Sequence, residues 1–577
     1  MGNLITSKQW THGCYVRKEE MNVVVVKEKS ITIDEDTREI VSVKNRLTFD
    51  DPSLQNPKRR IYITLPQFRT HQYKKETEEI SKTQMYSVED RFLVPELKNI
   101  LEINPYKRMN LQQICDNPYI YNADISMEAL VRIKYNETKK HPITHFTTGA
   151  FDIETSVVGC GRINVITFIH ENTIYTTALD DFMWKFVDNG KKVKATKKDI
   201  YENINQHLGY MPDLDHIEIA FKDKKGKDVK HLFNFELEIF EHETDLIKWI
   251  FSKIHKEETD FIGIWNIDYD IPKLQERLLY HKIRPEDIFS HPSVPRHLRL
   301  FYYKKDKKQT HHIADKWPWL QSTSMSQFLD SMLLYARIRK AKRKKSSYKL
   351  EAIANEELGF GKLKLDDSDI SMDHHKMQST RFSEYVVYNI QDSLIMQLME
   401  WKNRDMVAMW NLTGDSPLSD FSKQSVMLKN SYYKFALQNG RVFATVGSNM
   451  SGPYDELLPK VGGAVLPADR CRNIGLNCIV ERPDLESMIL AFGSDLDFKA
   501  IYPSFKSGYG ISKETKLSTT VAIEGVCTKT IGVEPLFGGI ANPRENAVWI
   551  GHDYFKLPNY EEMAQLASEA FINLPRT

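Results

Sequence analysis

Little in this chain invites disulfide or zinc chemistry. Its six cysteines include no C-x-x-C pair, and the closest two, Cys471 and Cys478, have the wrong spacing for a zinc knuckle. Reduced thiols in a cytosolic setting are therefore expected. The pairs His311-His312 and His374-His375 lack cysteine partners at metal-site spacing and read as surface residues. Long apolar runs are missing too. None approaches the roughly 20 residues that span a bilayer, and the N-terminus lacks the basic-then-apolar plan of a secretory signal. Met1-Gly2-x-x-x-Thr6 fits a myristoylation pattern, but chance matches to so short a pattern are common and no basic patch follows it. No membrane contact is expected. Excess charge is absent as well: 79 basic and 78 acidic residues leave a net charge of +1. Any nucleic acid would be met through a local groove or metal ions, not through bulk charge. Internal repeats and long low-complexity tracts are also lacking.

A chain of 577 residues is too long for one core, so three or four domains are expected. Residues 1–145 mix β-rich runs such as "NVVVVKEKSITI" (22–33) and "RRIYITL" (59–65) with helical patches, an α+β pattern without a chemical motif. Residues 146–405 alternate strand and helix patterns, which argues an α/β domain. Residues 406–490 turn helical and then loop-like, with "KVGGAVLP" (460–467) as a glycine-marked turn, and 491–577 open on the strand-and-turn "SDLDFKAIYPSF" (494–505). The basic run "RIRKAKRKKSSYK" (337–349) is either a solvated helix end or a phosphate-facing patch.

Chemistry concentrates in four acids and a tyrosine. In "GAFDIETS" (149–156), Phe151 and Ile153 alternate with Asp152 and Glu154, so both carboxylates share one face of a strand. Such a pair suits Mg²⁺ or Mn²⁺, which favour oxygen ligands. A hairpin "RINVITFIHENTIYTTAL" (162–179) follows. In "DFIGIWNIDYDIPKL" (260–274), a helix over 244–256 leads into a buried strand that breaks at Asn266. Pro272 suits the first turn of the next helix, which puts Asp270 at the strand-to-helix corner, as a helix cap or aimed at a site. In "SEYVVYNIQDSLIMQLMEW" (383–401), Tyr388 and Asp392 lie four apart on one helix face.

Taken as a set and in this order, Asp152, Glu154, Asp270, Tyr388 and Asp392 resemble the DEDD exonuclease superfamily of the tyrosine type, on a ribonuclease-H-like fold. The resemblance implies two metal ions, Mg²⁺ or Mn²⁺, held by the four carboxylates, with the tyrosine hydroxyl orienting a water. Further residues narrow it. "SYKLEAIANEELGFGKL" (347–363), "KVGGAVLP" and "DFKAIYPS" (497–504) look like the corresponding stretches of family B DNA polymerases, tailed-phage type. Asn266 to Asp270 is one position shorter than the family's usual spacing, and Asp268 is the lesser candidate as a metal ligand.

The resemblance implies an α/β multidomain chain. A ribonuclease-H-like 3′→5′ proofreading domain with a mixed sheet (146–405) would follow an α+β N-terminal domain (1–145). A helical linker (406–490) and an incomplete polymerase palm (491–577) would come after it. In that palm Asp497 would bind the catalytic metals and Tyr502 would exclude a 2′-hydroxyl. The backbone of Phe498, Lys499, Ala500 and Ile501 would cradle the triphosphate of a dNTP. The family's K-x-x-x-N-S-x-Y-G and D-T-D motifs are absent. A second polypeptide carrying fingers, palm remainder and thumb is therefore expected as partner, beside single-stranded and primer–template DNA and a sliding clamp, in the cytoplasm of a phage's bacterial host. A stand-alone 3′→5′ exonuclease and a non-catalytic replication scaffold remain the alternatives.

Overall fold

The computed structural model describes residues 4–18, 21–69, 77–138, 145–157, 161–186, 191–222, 227–306, 312–340, 345–363 and 374–445, and beyond these the short segments 479–480, 489–490, 540–542, 547–550 and 553–556. The chain divides into two compact units, Met1–Ser448 and Asn449–Thr577. It is a mixed α/β protein built around one large mixed sheet.

The β-branched runs near the N-terminus form strands. β1 (Leu4–Arg17), β2 (Asn22–Asp34) and β3 (Ile40–Thr48) make an antiparallel sheet with β2 in the middle. β4 (Lys58–Thr64) lies between β5 (Thr83–Glu89) and the short β6 (Ile120–Tyr121). Ile61, Ile63 and Val88 of this second sheet pack on Leu93 and Leu97 of a short helix.

The large sheet begins with β7 (Thr148–Thr155), β8 (Ile163–His170) and β9 (Thr173–Leu179), an antiparallel meander whose tight turn at Glu171 has φ 47°. Helix α1 (Lys197–His207) leads to β10 (His216–Lys222) and β11 (Asp228–Phe240). Helix α2 (Glu243–Glu257), β12 (Phe261–Ile264), α3 (Ile267–Tyr280), β13 (Gln327–Asp330), α4 (Ser331–Ile338), α5 (Leu350–Leu358), α6 (His374–Thr380) and α7 (Phe382–Asn403) follow. The strand order is β10-β11-β9-β8-β7-β12-β13. β11 runs parallel to β9, and β12 runs parallel to both β7 and β13.

Alternation along β7 sets the two faces of this sheet. Phe151 and Ile153 enter the core under α2 and α3, with Ile250, Phe251 and Leu274. Ala150 faces the opposite layer, which holds Ile200 of α1 and Tyr385, Val386 and Tyr388 of α7. Asp152 and Glu154, two and four residues further on, share that second face. A Cβ at position 149 would lie 2.4 Å from the Ile169 carbonyl oxygen, so Gly149 lets β7 close onto β8 just ahead of the acids. Helix α7 lies across this face and is buried without a break from Tyr385 to Glu400, as a helix covered on all sides must be.

In the second unit, Ile540–Asn542, Ala547–Ile550 and Asp553–Lys556 form an antiparallel meander, and Ile479–Val480 pairs with Ile489–Leu490. No helix among the described residues is long and apolar enough to cross a membrane. Cys14 and Cys115 are buried and not joined in a disulfide.

One buried ion cluster joins the N-terminal sheet to the large one. Lys27 and Lys29, two apart on β2 and so on one face, both end at Asp260, the residue before β12. All three side chains are fully buried. Lys27 Nζ donates to Asp260 Oδ1 at 2.7 Å, Lys29 pairs with Oδ2, and Thr147 donates its backbone N–H to Oδ2 at 2.8 Å. Against the pull of burial, the two ammoniums hold the Asp260 carboxyl down at about 2. Asp260→Asn should destabilise the protein by about 3–5 kcal/mol, because it leaves two buried ammoniums uncompensated. Since the folded-state value is depressed, the carboxylate's contribution is fully present above the unfolded value of about 3.9 and is lost only as pH falls through about 2. Urea unfolding of both proteins at pH 5 and pH 8 checks this: the difference between them should be the same at both.

Candidate functional site

The site forms where the end of β7 meets α7. Asp152 and Glu154 come from the strand, and Tyr388 and Asp392 from the helix. Oxygens of Asp152, Glu154 and Asp392 lie within 4.8 Å of one another, close enough to share a metal ion. Asp392 Oδ1 is buried and accepts no hydrogen bond among the described residues, which leaves a lone pair there without a donor. Oxygen-only donors and an orphaned carboxylate oxygen fit a hard divalent cation.

Asp270, on α3, is not one of the three acids that converge within 4.8 Å but acts on Asp152 electrostatically, and it does not stand at the corner that the sequence pattern suggests. The helix starts at Ile267, just after Asn266, whose side chain makes no capping bond, so Asp270 sits a full turn inside it and Pro272 lies within the helix. The early start has a tertiary cause. Asp330, at the end of β13, accepts the Ile267 N–H at 3.2 Å, so an amide that a helix end normally leaves unpaired has a partner there. Asp330 also caps α4 by accepting from Leu333 N at 2.7 Å. Asp268 is engaged elsewhere, by the hydroxyl of Tyr303.

Electrostatics tie the four acids together. The Asp152 carboxyl is pushed well up, first by burial and then by Asp270, Glu154 and Asp392. Burial and Glu154 do the same to Asp270, with Asp330 adding to the effect. Glu154 rises to about 7, mainly through burial. Burial also raises Asp392, against the opposing charge of Lys362. The cation that bears on this set is Lys362, whose Nζ donates to Tyr388 Oη at 2.6 Å and to Asp392. Although burial opposes its charge, Asp392 and Tyr388 hold it protonated. Burial and Asp392 push the Tyr388 phenol up, so it keeps its proton at neutral pH.

The sequence pattern alone does not pick out several members of the site. Asn389 donates to Asp152 Oδ2 at 2.6 Å, and Tyr385 donates to Glu154. Tyr385, Tyr388, Asn389 and Asp392 fall at i, i+3, i+4 and i+7, one helix face. Polar groups at that spacing inside a buried helix are the signal that marks them. Lys362 lies in the "GFGKL" turn, within a stretch that also carries the polymerase resemblance. His374 does not behave as a plain surface residue. It is half-buried, its ring meets those of Tyr385 and Tyr388 edge-on, and its Nδ1 lies 3.0 Å from Tyr385 Oη.

A cleft of about 610 Å³, lined among others by Trp265, Asn266, Tyr348, Lys345, Lys349 and Lys362, opens beside the acids. The other described members of the basic run are used within the fold. Arg337 donates to the carbonyls of Ala314 and Phe421, Arg339 pairs with Asp405 and Lys340 with Asp315. Asp497, Phe498, Lys499, Ala500, Ile501 and Tyr502 lie outside the described residues. Compared with protein families and with curated proteins, the chain matches none.

Raised carboxyl values have a consequence for stability. Each such group binds its proton more tightly when folded, so its contribution is largest below the unfolded value and falls as pH rises toward the folded one. For Glu154 that window runs from about 4.5 to about 7. Asp152→Asn removes one charge from the set. At pH 8 without divalent ions it should raise the melting temperature of the Met1–Ser448 unit by about 1 °C for each kcal/mol of repulsion relieved. Differential scanning calorimetry at pH 5 and pH 8 checks both the sign and the shrinking of this gain at the lower pH.

Proposed function

We propose that this site belongs to a two-metal phosphodiesterase of the DEDD type. The supporting observation is the convergence of Asp152, Glu154 and Asp392 within 4.8 Å, with Asp270 electrically coupled to them and one lysine opposite. The strand order, an antiparallel meander with parallel strands added at both sides and a buried helix across the acid-bearing face, supports the ribonuclease-H-like reading. More particularly, the order of motifs supports the 3′→5′ proofreading domain of a family B DNA polymerase of tailed-phage type.

Asp152, Glu154, Asp270 and Asp392 would hold two Mg²⁺ or Mn²⁺ ions. When bound, such a pair offsets the charge that gathers on phosphorus and supplies an activated water. The remaining work falls to side chains. Lys362 donates to Tyr388 Oη, and the hydroxyl is held beside Asp392, which fixes it at the metal-binding acids. A phenol that stays protonated orients a water as a donor and does not act as a base. The neighbouring cleft is lined by Trp265, Tyr348 and the exposed Lys349, residue types that suit unstacked bases and a phosphate, while Lys345 is paired with Glu356. A replication scaffold without catalysis has no use for mutually repelling buried carboxylates, which argues against that alternative.

Asp497 and Tyr502 support the larger reading, in which a polymerase palm begins here and is completed by a second chain bearing fingers, the D-T-D motif and thumb. Primer extension tests it. The chain alone should not extend a primer, whereas the mixture with such a partner should, and Asp497→Ala should stop synthesis there while leaving nuclease activity. Robust extension by the lone chain would refute the split arrangement.

The purified chain should degrade single-stranded DNA from its 3′ end with Mg²⁺ or Mn²⁺, and Asp152→Ala with Glu154→Ala should abolish this. Activity that survives the double change, or chelation, places the chemistry elsewhere. Tyr388→Phe should lower the rate by about 30- to 1000-fold, the equivalent of about 2–4 kcal/mol for one hydrogen bond in a transition state. A wild-type rate in that variant would make Tyr388 a packing residue.

A further inference from the structure

We propose that Tyr385 and Gln378 are positioning residues that set the Glu154 carboxylate for its metal ion, an inference that rests on the nuclease reading above. Glu154 stands at a weak point of its strand. The register between β7 and β8 slips between Glu154 and Thr155, and a bulge at that place loosens the ladder just where a ligand must be held still. Gln378, on α6 and almost fully buried, compensates for the slip. Its Oε1 accepts the Val157 N–H at 3.0 Å and its Nε2 donates to the Thr155 carbonyl at 2.8 Å. One side-chain amide thus does for the end of β7 what a neighbouring strand does for its middle.

The same Nε2 lies 3.1 Å from Tyr385 Oη, and that hydroxyl donates to Glu154 Oε2. Tyr385 is fully buried on α7. Its ring lies almost parallel to that of Tyr388, at 6° with centroids 5.9 Å apart. A phenol buried this deeply needs partners for its hydroxyl, and here they are the metal-binding acid, the amide that steadies the strand beneath it and His374 Nδ1 at 3.0 Å. With Oε2 committed to the phenol, the rotation of the carboxylate is fixed and Oε1 is left for the cation. Outer partners of this kind typically change metal affinity about 10- to 100-fold when removed.

Two tyrosines stacked on one helix therefore have separable jobs: Tyr388 acts on the rate, and Tyr385 acts on the metal. Titration of the full chain with Mn²⁺, followed by the electron paramagnetic resonance signal of the free ion, separates them without any turnover. D152A/E154A serves as the blank, and circular dichroism with melting temperatures checks each fold. Y385F and Q378M should bind Mn²⁺ at least about 10-fold more weakly than wild type, whereas Y388F should stay within about two-fold. Wild-type affinity in a folded Y385F overturns the inference and leaves the nuclease reading intact. If Y385F fails to fold, a folded Q378M with wild-type affinity overturns it in the same way. Wild-type protein that binds no more Mn²⁺ than the blank overturns the nuclease reading itself, and this inference with it.

Discussion

Carboxylates forced together in a dry place repel one another, and much of the first unit's architecture is the means of holding them. Asp152 and Glu154 are fixed to a strand inside a seven-stranded sheet, so neither can swing away without breaking β7. Asp392 sits on a helix buried along most of its length, and Asp270 sits on one whose first amide is tied to Asp330. Small hydrogen-bonding groups finish the arrangement: Asn389 on Asp152, Tyr385 on Glu154, Lys362 on Asp392. None of these neutralises the set, and only Lys362 brings a positive charge. An arrangement that stores repulsion in this way is pre-organised for cations, whose arrival relieves strain that the packing has already met.

How much of this the sequence reveals depends on whether the information is local. The alternation of Phe151 and Ile153 with Asp152 and Glu154 is a period-two signal, and the structure returns it as one strand with its acids on one face. The apolar stripe of α2 and the long helix through Tyr388 and Asp392 are equally local, and both form within a residue or two of the expected bounds. The start of α3 is not local. Pro272 by itself argues for a helix beginning near it, but the amide that decides the start is bonded to Asp330, more than sixty residues on. No pattern around 260–274 carries that fact.

The same division explains the residues that the sequence does not single out. Lys362 and His374 lie in stretches whose own patterns give no reason to bring them to the acids; packing puts them there. Gln378 is an ordinary amide in sequence, and its value comes from three bonds to two other elements. In sequence, Lys27 and Lys29 are simply two cations inside a β-rich run. Only the approach of Asp260 makes a fully buried place for them.

That cluster gives the protein an uneven response to ionic strength. At physiological salt, exposed charges more than about 8 Å apart are largely screened, while buried pairs are screened much less. Attraction between an anion and the exposed cleft lysine Lys349 is of the first kind and weakens as salt rises. The bond between the N-terminal sheet and β12 belongs to the second kind. Salt can therefore loosen an anion held at the cleft surface while the scaffold that carries the acids stays locked, so surface attraction and architecture are governed by different variables.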